Sequence, residues 1–263
     1  MIKKGFTLIE LLVVISIIAL LVAILMPALA KARETSKALV CETNQKQLIT
    51  AWHMYCDENN GRVPGSWNYN PSRGWGQIAD WAWVPMEPDS DVVAWNYENE
   101  KCTEKERQEG VKRGSMYKYT QEVGIYHCPS DKLNFRSYSM PDGLNGYWGR
   151  PNGSYWWDNI LKRDSIKFPS GKYVFLEECD SRGYNINAWY LADNGVFGDP
   201  LTTWHSGASN QGFADGHVEK HKWSDEVAKY FLDYKIGFLV GYNPTTAAGK
   251  DDYMYLRRGW PSK

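Results

Sequence analysis

KKGFTLIELLVVISIIALLVAILMPALA, residues 3–30, decides the architecture. Lys3 and Lys4 precede Gly5, and from Phe6 to Ala30 the only ionisable residue is Glu10. The stretch Leu11 to Ala30 is uncharged, and a helix of about 20 residues, rising about 1.5 Å per residue, spans a bilayer core of about 30 Å. A membrane-spanning helix is therefore expected over 6–30. Lys3 and Lys4 at one end are matched by Lys31, Arg33 and Lys37 at the other, so the positive-inside bias is nearly balanced. A leader this short translocates nothing, which places residues 1–5 in the cytoplasm and the remainder across the membrane. A secretory signal peptide is the competing reading, because Ala28-Leu29-Ala30 has the small-x-small spacing of its cleavage site. The apolar run is longer than the about 7–15 residues of such a signal and begins beside an acid, which argues against it.

Beyond Pro27 the helix is expected to continue in amphipathic form. Leu29, Ala32, Ser36, Val40, Thr43, Leu48, Trp52 and Tyr55 recur at roughly helical spacing, as one face turned toward a sheet requires. Asn59-Asn60-Gly61 followed by Pro64 is a stop signal, since Gly and Asn accept the left-handed cap conformation and Pro bars continuation. One helix is thus expected over 6–60. Pro27 removes a backbone hydrogen bond inside it and loosens the preceding turn.

Residues 61–263 are read as a single extracytoplasmic head, the length suiting one domain plus an appendage. A net charge of −1 without a sustained basic run excludes nucleic acid as a partner. Residues 98–113 suit a short helix or a solvated insertion, and Lys172–Glu178 and Ala188–Ala192 suit strands. In Gln211–Trp223, Asp215-Gly216 separates two strand-like runs, which predicts a hairpin with a two-residue type I′ turn. Ser224-Asp225-Glu226 caps a helix to about Lys235. The fold class is α+β: a long N-terminal helix packed on an antiparallel sheet with loop-rich insertions.

Lys3-Lys4-Gly5 followed by Phe6-Thr7-Leu8-Ile9-Glu10 resembles the type III signal of type IV prepilins and type II secretion pseudopilins. The resemblance implies a pilin fold, a leader over 1–5, cleavage between Gly5 and Phe6 by a membrane aspartic peptidase, and N-methylation of Phe6. It implies assembly through Phe6, Glu10 and Pro27, with Glu10 meeting the terminal amine of a neighbouring subunit. Physics supports that role, because a carboxylate deep in a membrane helix costs about 2.5 kcal/mol or more and persists only with a partner. Pro27 stands where pilins of this class often carry a proline, implying a segment that melts and stretches; Ala19 replaces a glycine many of them have. The implied partners are other copies and related pilins, the prepilin peptidase and methylase, an inner-membrane assembly platform and membrane lipid. The implied function is a subunit of a type IV pilus-like filament or pseudopilus, single-pass in the inner membrane before assembly and periplasmic or at the cell surface after it.

A second resemblance lies toward the other end. His205, nine residues, then Asp215-Gly216 is similar to the H-X9-DG signature of prepilin-like proteins abundant in planctomycetes, placing that hairpin at 205–223. Cys41 with Asn44-Gln45-Lys46-Gln47-Leu48, Cys128-Pro129-Ser130-Asp131, Ser137-Tyr138 and Phe213-Ala214-Asp215-Gly216-His217-Val218 occur in the same order in that family.

The cysteines Cys41, Cys56, Cys102, Cys128 and Cys179 lack C-x-x-C spacing, so no zinc ribbon or thioredoxin-like pair is signalled. Export of the head makes disulfides expected. Cys41 and Cys56 on one helix lie about 22 Å apart and cannot bond each other. Cys41 and Cys128 both fall in the family-like motifs, which makes them the first expected pair, with Cys56–Cys102 second and Cys179 left over; five buried thiols are the alternative.

A bound divalent cation is a further expectation, on His205, Asp215, Asp180 and Glu178. The pseudopilin resemblance implies calcium in the C-terminal loops, whereas histidine favours zinc or another transition metal. A turn role for Asp215 and a hydrogen-bonded anchor role for His205 account for the same residues without metal. No nucleophile elbow, P-loop or His-Glu-x-x-His occurs, and Glu177 and Glu178 alternate across a strand, so no enzyme is expected. Trp67, Tyr69, Trp75, Trp81 and Trp83, if exposed, would suit a surface module that stacks on sugar rings or partner surfaces.

Overall fold

The computed structural model describes residues 7–66, 81, 103–145, 160–179, 188–192, 194–233 and 241–261. Helix α1 spans Leu8–Glu58, about 75 Å at helical rise. Thr7 caps it: its Oγ1 accepts from Glu10 N at 3.3 Å, and the Glu10 carboxylate accepts from Thr7 N at 2.8 Å and Thr7 Oγ1 at 2.7 Å. This reciprocal box satisfies amide groups that have no helical partner. The other end closes as the Asn-Asn-Gly run predicts. Asn60 and Gly61 take left-handed φ of +55° and +76°, and Gly61 N donates to Cys56 O at 2.8 Å.

The two halves of α1 meet different surroundings. From Thr7 to Arg33 every residue is exposed, while Ala38, Cys41, Gln45, Leu48, Ile49, Trp52 and Cys56 are buried. That stripe corrects the expected one: Leu48 and Trp52 belong to it, but Leu29 is 63% and Val40 48% exposed. Apolarity alone misplaced the face by about one residue because its polar members are bonded to the head. Asn44 Nδ2 donates to His127 O at 3.0 Å and Gln45 Nε2 to Asn210 O at 2.9 Å, while Ala38 O accepts from Asn210 Nδ2 at 3.3 Å.

The head contains a sheet of strands β1 (Tyr138–Pro141), β2 (Tyr173–Glu177), β3 (Ala188–Trp189), β4 (Ala208–Phe213) and β5 (Val218–Lys222) in the order β3-β1-β2-β4-β5. β1, β2, β4 and β5 pair antiparallel, and β3 joins the β1 edge in parallel. The strand expected over 188–192 is thus much shorter. Helices α2 (Glu104–Lys112), α3 (Tyr117–Thr120), α4 (Asp225–Asp233) and α5 (Ala247–Gly259) and three single-turn 3-10 helices complete the described elements. α2 decides the 98–113 interval in favour of a helix, and α5 was not foreseen.

Both faces of the sheet are covered. Leu48, Ile49, Trp52 and Cys56 of α1 share a core with Tyr138, Met140, Val174 and Phe175. Tyr173, Leu176, Trp189 and Phe213 form a second core with Val227 and Phe231 of α4 and Tyr253 and Leu256 of α5. A register shift between Tyr173 and Phe175 explains why the consecutive Val174 and Phe175 both join the first core, against strict strand alternation. α1 reaches β4 closely because Gly212 has no side chain: a Cβ there would stand 2.7 Å from Ile49 Cδ1 and 3.0 Å from Gln45 Oε1.

The β4–β5 connection differs from the two-residue type I′ turn. Phe213 N donates to His217 O at 2.9 Å, leaving the three-residue loop Ala214-Asp215-Gly216. Gly216 alone of these has positive φ, at +101°, whereas a type I′ turn needs two such residues. Asp215 Oδ1 instead accepts from His217 N at 3.2 Å, as short acidic side chains do in turns.

Candidate functional site

The exposed half of α1 is an apolar rod. Leu8, Ile9, Leu11, Leu12, Ile15 and the large residues onward to Leu29 are each 45–79% exposed, and the helix is long and apolar enough to cross a membrane by length and composition. Ser16 Oγ returns its proton to Leu12 O at 2.8 Å, so its hydroxyl adds no unsatisfied donor to the apolar surface. Pro27 lies inside the continuous helix, and Glu10 is the acidic residue of its first turn, folded back on Thr7.

Where α1 docks on the head, a cluster of chemistry-bearing groups lies buried. Cys41 of α1, Cys128 before β1, Glu177 at the end of β2 and His205 before β4 place one sulfur, oxygen or nitrogen each within 4.8 Å of one another. Cys41 Sγ donates to Glu177 Oε1 at 2.7 Å, His205 Nε2 lies 3.2 Å from that same oxygen, and Cys128 Sγ lies 3.5 Å from His205 Nε2.

Local structure fixes each group. Asp131 N donates to Cys128 O at 2.9 Å and Cys128 N donates to Ser137 Oγ at 2.9 Å. Ser137 Oγ in turn donates to Asp131 Oδ2 at 2.7 Å, and Asp131 Oδ1 accepts from Leu133 N and Asn134 N. The Cys-Pro-Ser-Asp turn is therefore a closed bracket around Cys128. Thr202 Oγ1 donates to Glu177 Oε2 at 3.0 Å, and Tyr138 OH lies 3.0 Å from Cys41 Sγ. His205 Nδ1 is buried with no hydrogen-bond partner and faces Glu34 Oε1 at 3.5 Å; Ser130 Oγ holds that oxygen at 2.9 Å.

The proton affinities diverge within the cluster. Burial pushes the Cys41 thiol well up, whereas the hydrogen bond from Cys41 outweighs burial at Cys128 and brings it down to about 7. Burial pulls His205 down, but its contacts with Cys128 and Glu177 prevail and raise it to about 10. A thiolate and an imidazolium stabilise each other when both are withdrawn from water.

Residues 1–26 match the family model for the prokaryotic N-terminal methylation motif. The chain is also 46% identical over 57 residues to the type IV wide pilus major component PilA4 of Thermus thermophilus, a match covering 22% of this chain and 44% of that protein. No solved structure matches. The N-terminal segment is type IV pilin-like. A pilin-like segment points to a structural subunit rather than an enzyme.

Within that segment, Glu10 and Pro27 lie on α1, and Gly5 and Phe6 fall outside the described residues. Of the described residues expected to hold a cation, His205 alone is in the buried cluster. Asp215 is paired with His217, Oδ1 to Nδ1 at 2.5 Å, in the turn after β4, whereas His205 precedes β4, so a strand of about 20 Å separates them. Glu178 is buried, its N–H donating to Ser137 O at 3.0 Å, but Glu177 is the acid aimed at His205; the end of β2 presents the odd-numbered residue to α1. Asp180 lies outside the described residues.

Cys41 and Cys128 are brought together as the disulfide expectation required, but as free thiols, each held by hydrogen bonding to Glu177 or His205. Cys56 is a buried free thiol and Cys102 lies outside the described residues. Trp81 is fully buried, stacked on Tyr126 at 5.7 Å and under the Arg136 guanidinium at 5.1 Å, so it offers no stacking surface. Trp67, Tyr69, Trp75 and Trp83 lie outside the described residues.

Proposed function

We propose that the protein is a structural subunit of a type IV pilus-like filament, processed between Gly5 and Phe6 and methylated on Phe6. The observation that carries this reading is the bare apolar half of α1, most of it within the matched methylation motif, with Glu10 in its first turn. An apolar surface of that size needs a cover. Lipid supplies it while the subunit sits in the inner membrane, and the same helices of neighbouring subunits supply it in the fibre. Glu10 then finds the methylated amine of an adjacent copy, which compensates a charge that hydrocarbon penalises. Assembly draws on the prepilin peptidase and an inner-membrane platform, and the head ends outside the cell. The relative is named as a pilus component, which favours a pilus over a secretion pseudopilus.

Glu10→Ala and Glu10→Leu test the assembly role. Both variants should fractionate with the membrane as the wild type does while surface fibres are lost, because the anchor remains and the charge partner does not. Normal fibre counts in either variant would remove Glu10 from assembly.

A further inference from the structure

We propose that Cys41, Cys128, Glu177 and His205 form a tetrahedral site for a zinc-class divalent metal ion that fastens α1 to the head. The donor set is two sulfurs, one imidazole nitrogen and one carboxylate oxygen, a combination that suits zinc and excludes calcium, which takes oxygen alone. Zinc bonds of about 2.3 Å to sulfur and about 2.0–2.2 Å to nitrogen and oxygen set tetrahedral edges of about 3.3–3.8 Å. The donor atoms are 2.7, 3.2 and 3.5 Å apart along three edges, and no pair exceeds 4.8 Å. Changes of up to about 1 Å in these separations, shared between the side chains, convert this cluster into a coordination shell.

The surroundings match such a site. A metal-binding histidine usually presents its second nitrogen to a carboxylate that orients the ring, and His205 Nδ1 faces Glu34 at 3.5 Å, with Ser130 steadying that carboxylate. Glu177 keeps one oxygen for the cluster while Thr202 holds the other. All four donors are buried, and four protein ligands leave no open position, so the site is structural and not catalytic. Binding releases the remaining thiol protons and the imidazolium proton of His205 to solvent, giving two thiolates, a carboxylate and a neutral imidazole around the dication, a net charge of −1. The two sulfurs have a competing fate, a Cys41–Cys128 disulfide. That bond would take both sulfurs out of the donor set and leave Glu177 and His205 to pair with each other at 3.2 Å.

The ligands come from separate parts of the chain, one on α1 and three in the head. A metal there ties the stalk to the head at a point where the filament would transmit load. This inference stands on the docked half of α1 and the head and does not rest on the pilin reading.

The test is elemental analysis and alkylation mapping of the full-length protein, extracted from its native envelope in detergent without chelator. One zinc per chain is expected, with Cys41 and Cys128 alkylating only after a strong chelator is added. Replacing zinc by cobalt should give a thiolate-to-cobalt charge-transfer band, weakened in Cys128→Ser and absent in the Cys41→Ser/Cys128→Ser double variant. Wild-type protein that neither contains zinc nor takes up added zinc after mild reduction overturns the site, as does a disulfide-linked Cys41–Cys128 peptide in the unreduced map. Zinc retained at full stoichiometry in the double variant would also overturn it, by placing the metal elsewhere.

Discussion

Gly212 sits where α1 crosses β4, and the approach of the helix depends on the hydrogen at that position. A methyl group would meet Ile49 Cδ1 at 2.7 Å and Gln45 Oε1 at 3.0 Å, the ends of two buried side chains. Gly212→Ala is therefore expected to destabilise the head by about 1–3 kcal/mol, the usual cost of overpacking. In an Ile49→Val background, which removes the nearest atom, the same change should cost less. Denaturant unfolding of the four proteins measures it, and equal costs in both backgrounds would contradict the contact. The same scale shows what the sequence could not display. Cys41, Cys128, Ser137, Tyr138 and His205 were each noticeable in isolated motifs, yet their meeting depends on a helix phase set by buried polar residues. Taking Val40 for Cys41 turns the stripe by about 100°. Choosing Glu178 over Glu177 puts the wrong acid on the α1 face.

At the scale of elements, one carboxylate of α4 holds the segment that leads into α5. Glu226 accepts from Thr245 N and Oγ1 at 2.7 Å, from Thr246 N at 3.0 Å, and from Thr246 Oγ1. The bonds from Thr246, then those from Thr245, hold its pKa down at about 2 against an ordinary 4.5. A depressed carboxylate contributes stability that is complete above its unfolded value and is lost as pH falls through the folded one. Amide exchange over 245–250, corrected for intrinsic rates, should stay slow at neutral pH and speed up between about pH 4.5 and 2. Glu226→Gln should show the fast behaviour already at neutral pH, and unchanged exchange in that variant would contradict the latch. α5 does carry local signals, Thr246 capping Gly249 N at 3.0 Å and Arg257 and Arg258 in its last turn, whereas the acid twenty residues away that orders its start has no local signature. α1 was legible because length, apolarity and stop signals are local properties. The β4–β5 hairpin was legible in place but not in turn type, since Asp-Gly serves a three-residue loop as well.

The whole molecule divides at about residue 34. Everything before it on α1 is exposed, so those residues contribute no packing to the head. Removing residues 1–30 is accordingly expected to yield a head that stays in solution without detergent and unfolds at nearly the full-length midpoint. A truncated protein that aggregates or melts far lower would show that the rod supports the head. The docking half of α1 joins the sheet through Gln45, Leu48 and Trp52, so pull on the rod reaches the head through α1 itself. On the proposed function, the rod is a processed filament helix. Mass spectrometry of the N-terminal peptide from sheared surface fibres tests it most directly. The claim predicts a chain beginning at N-methylated Phe6 within the fibres; fibres free of this protein, or a chain beginning at Met1 or Lys31, would contradict it.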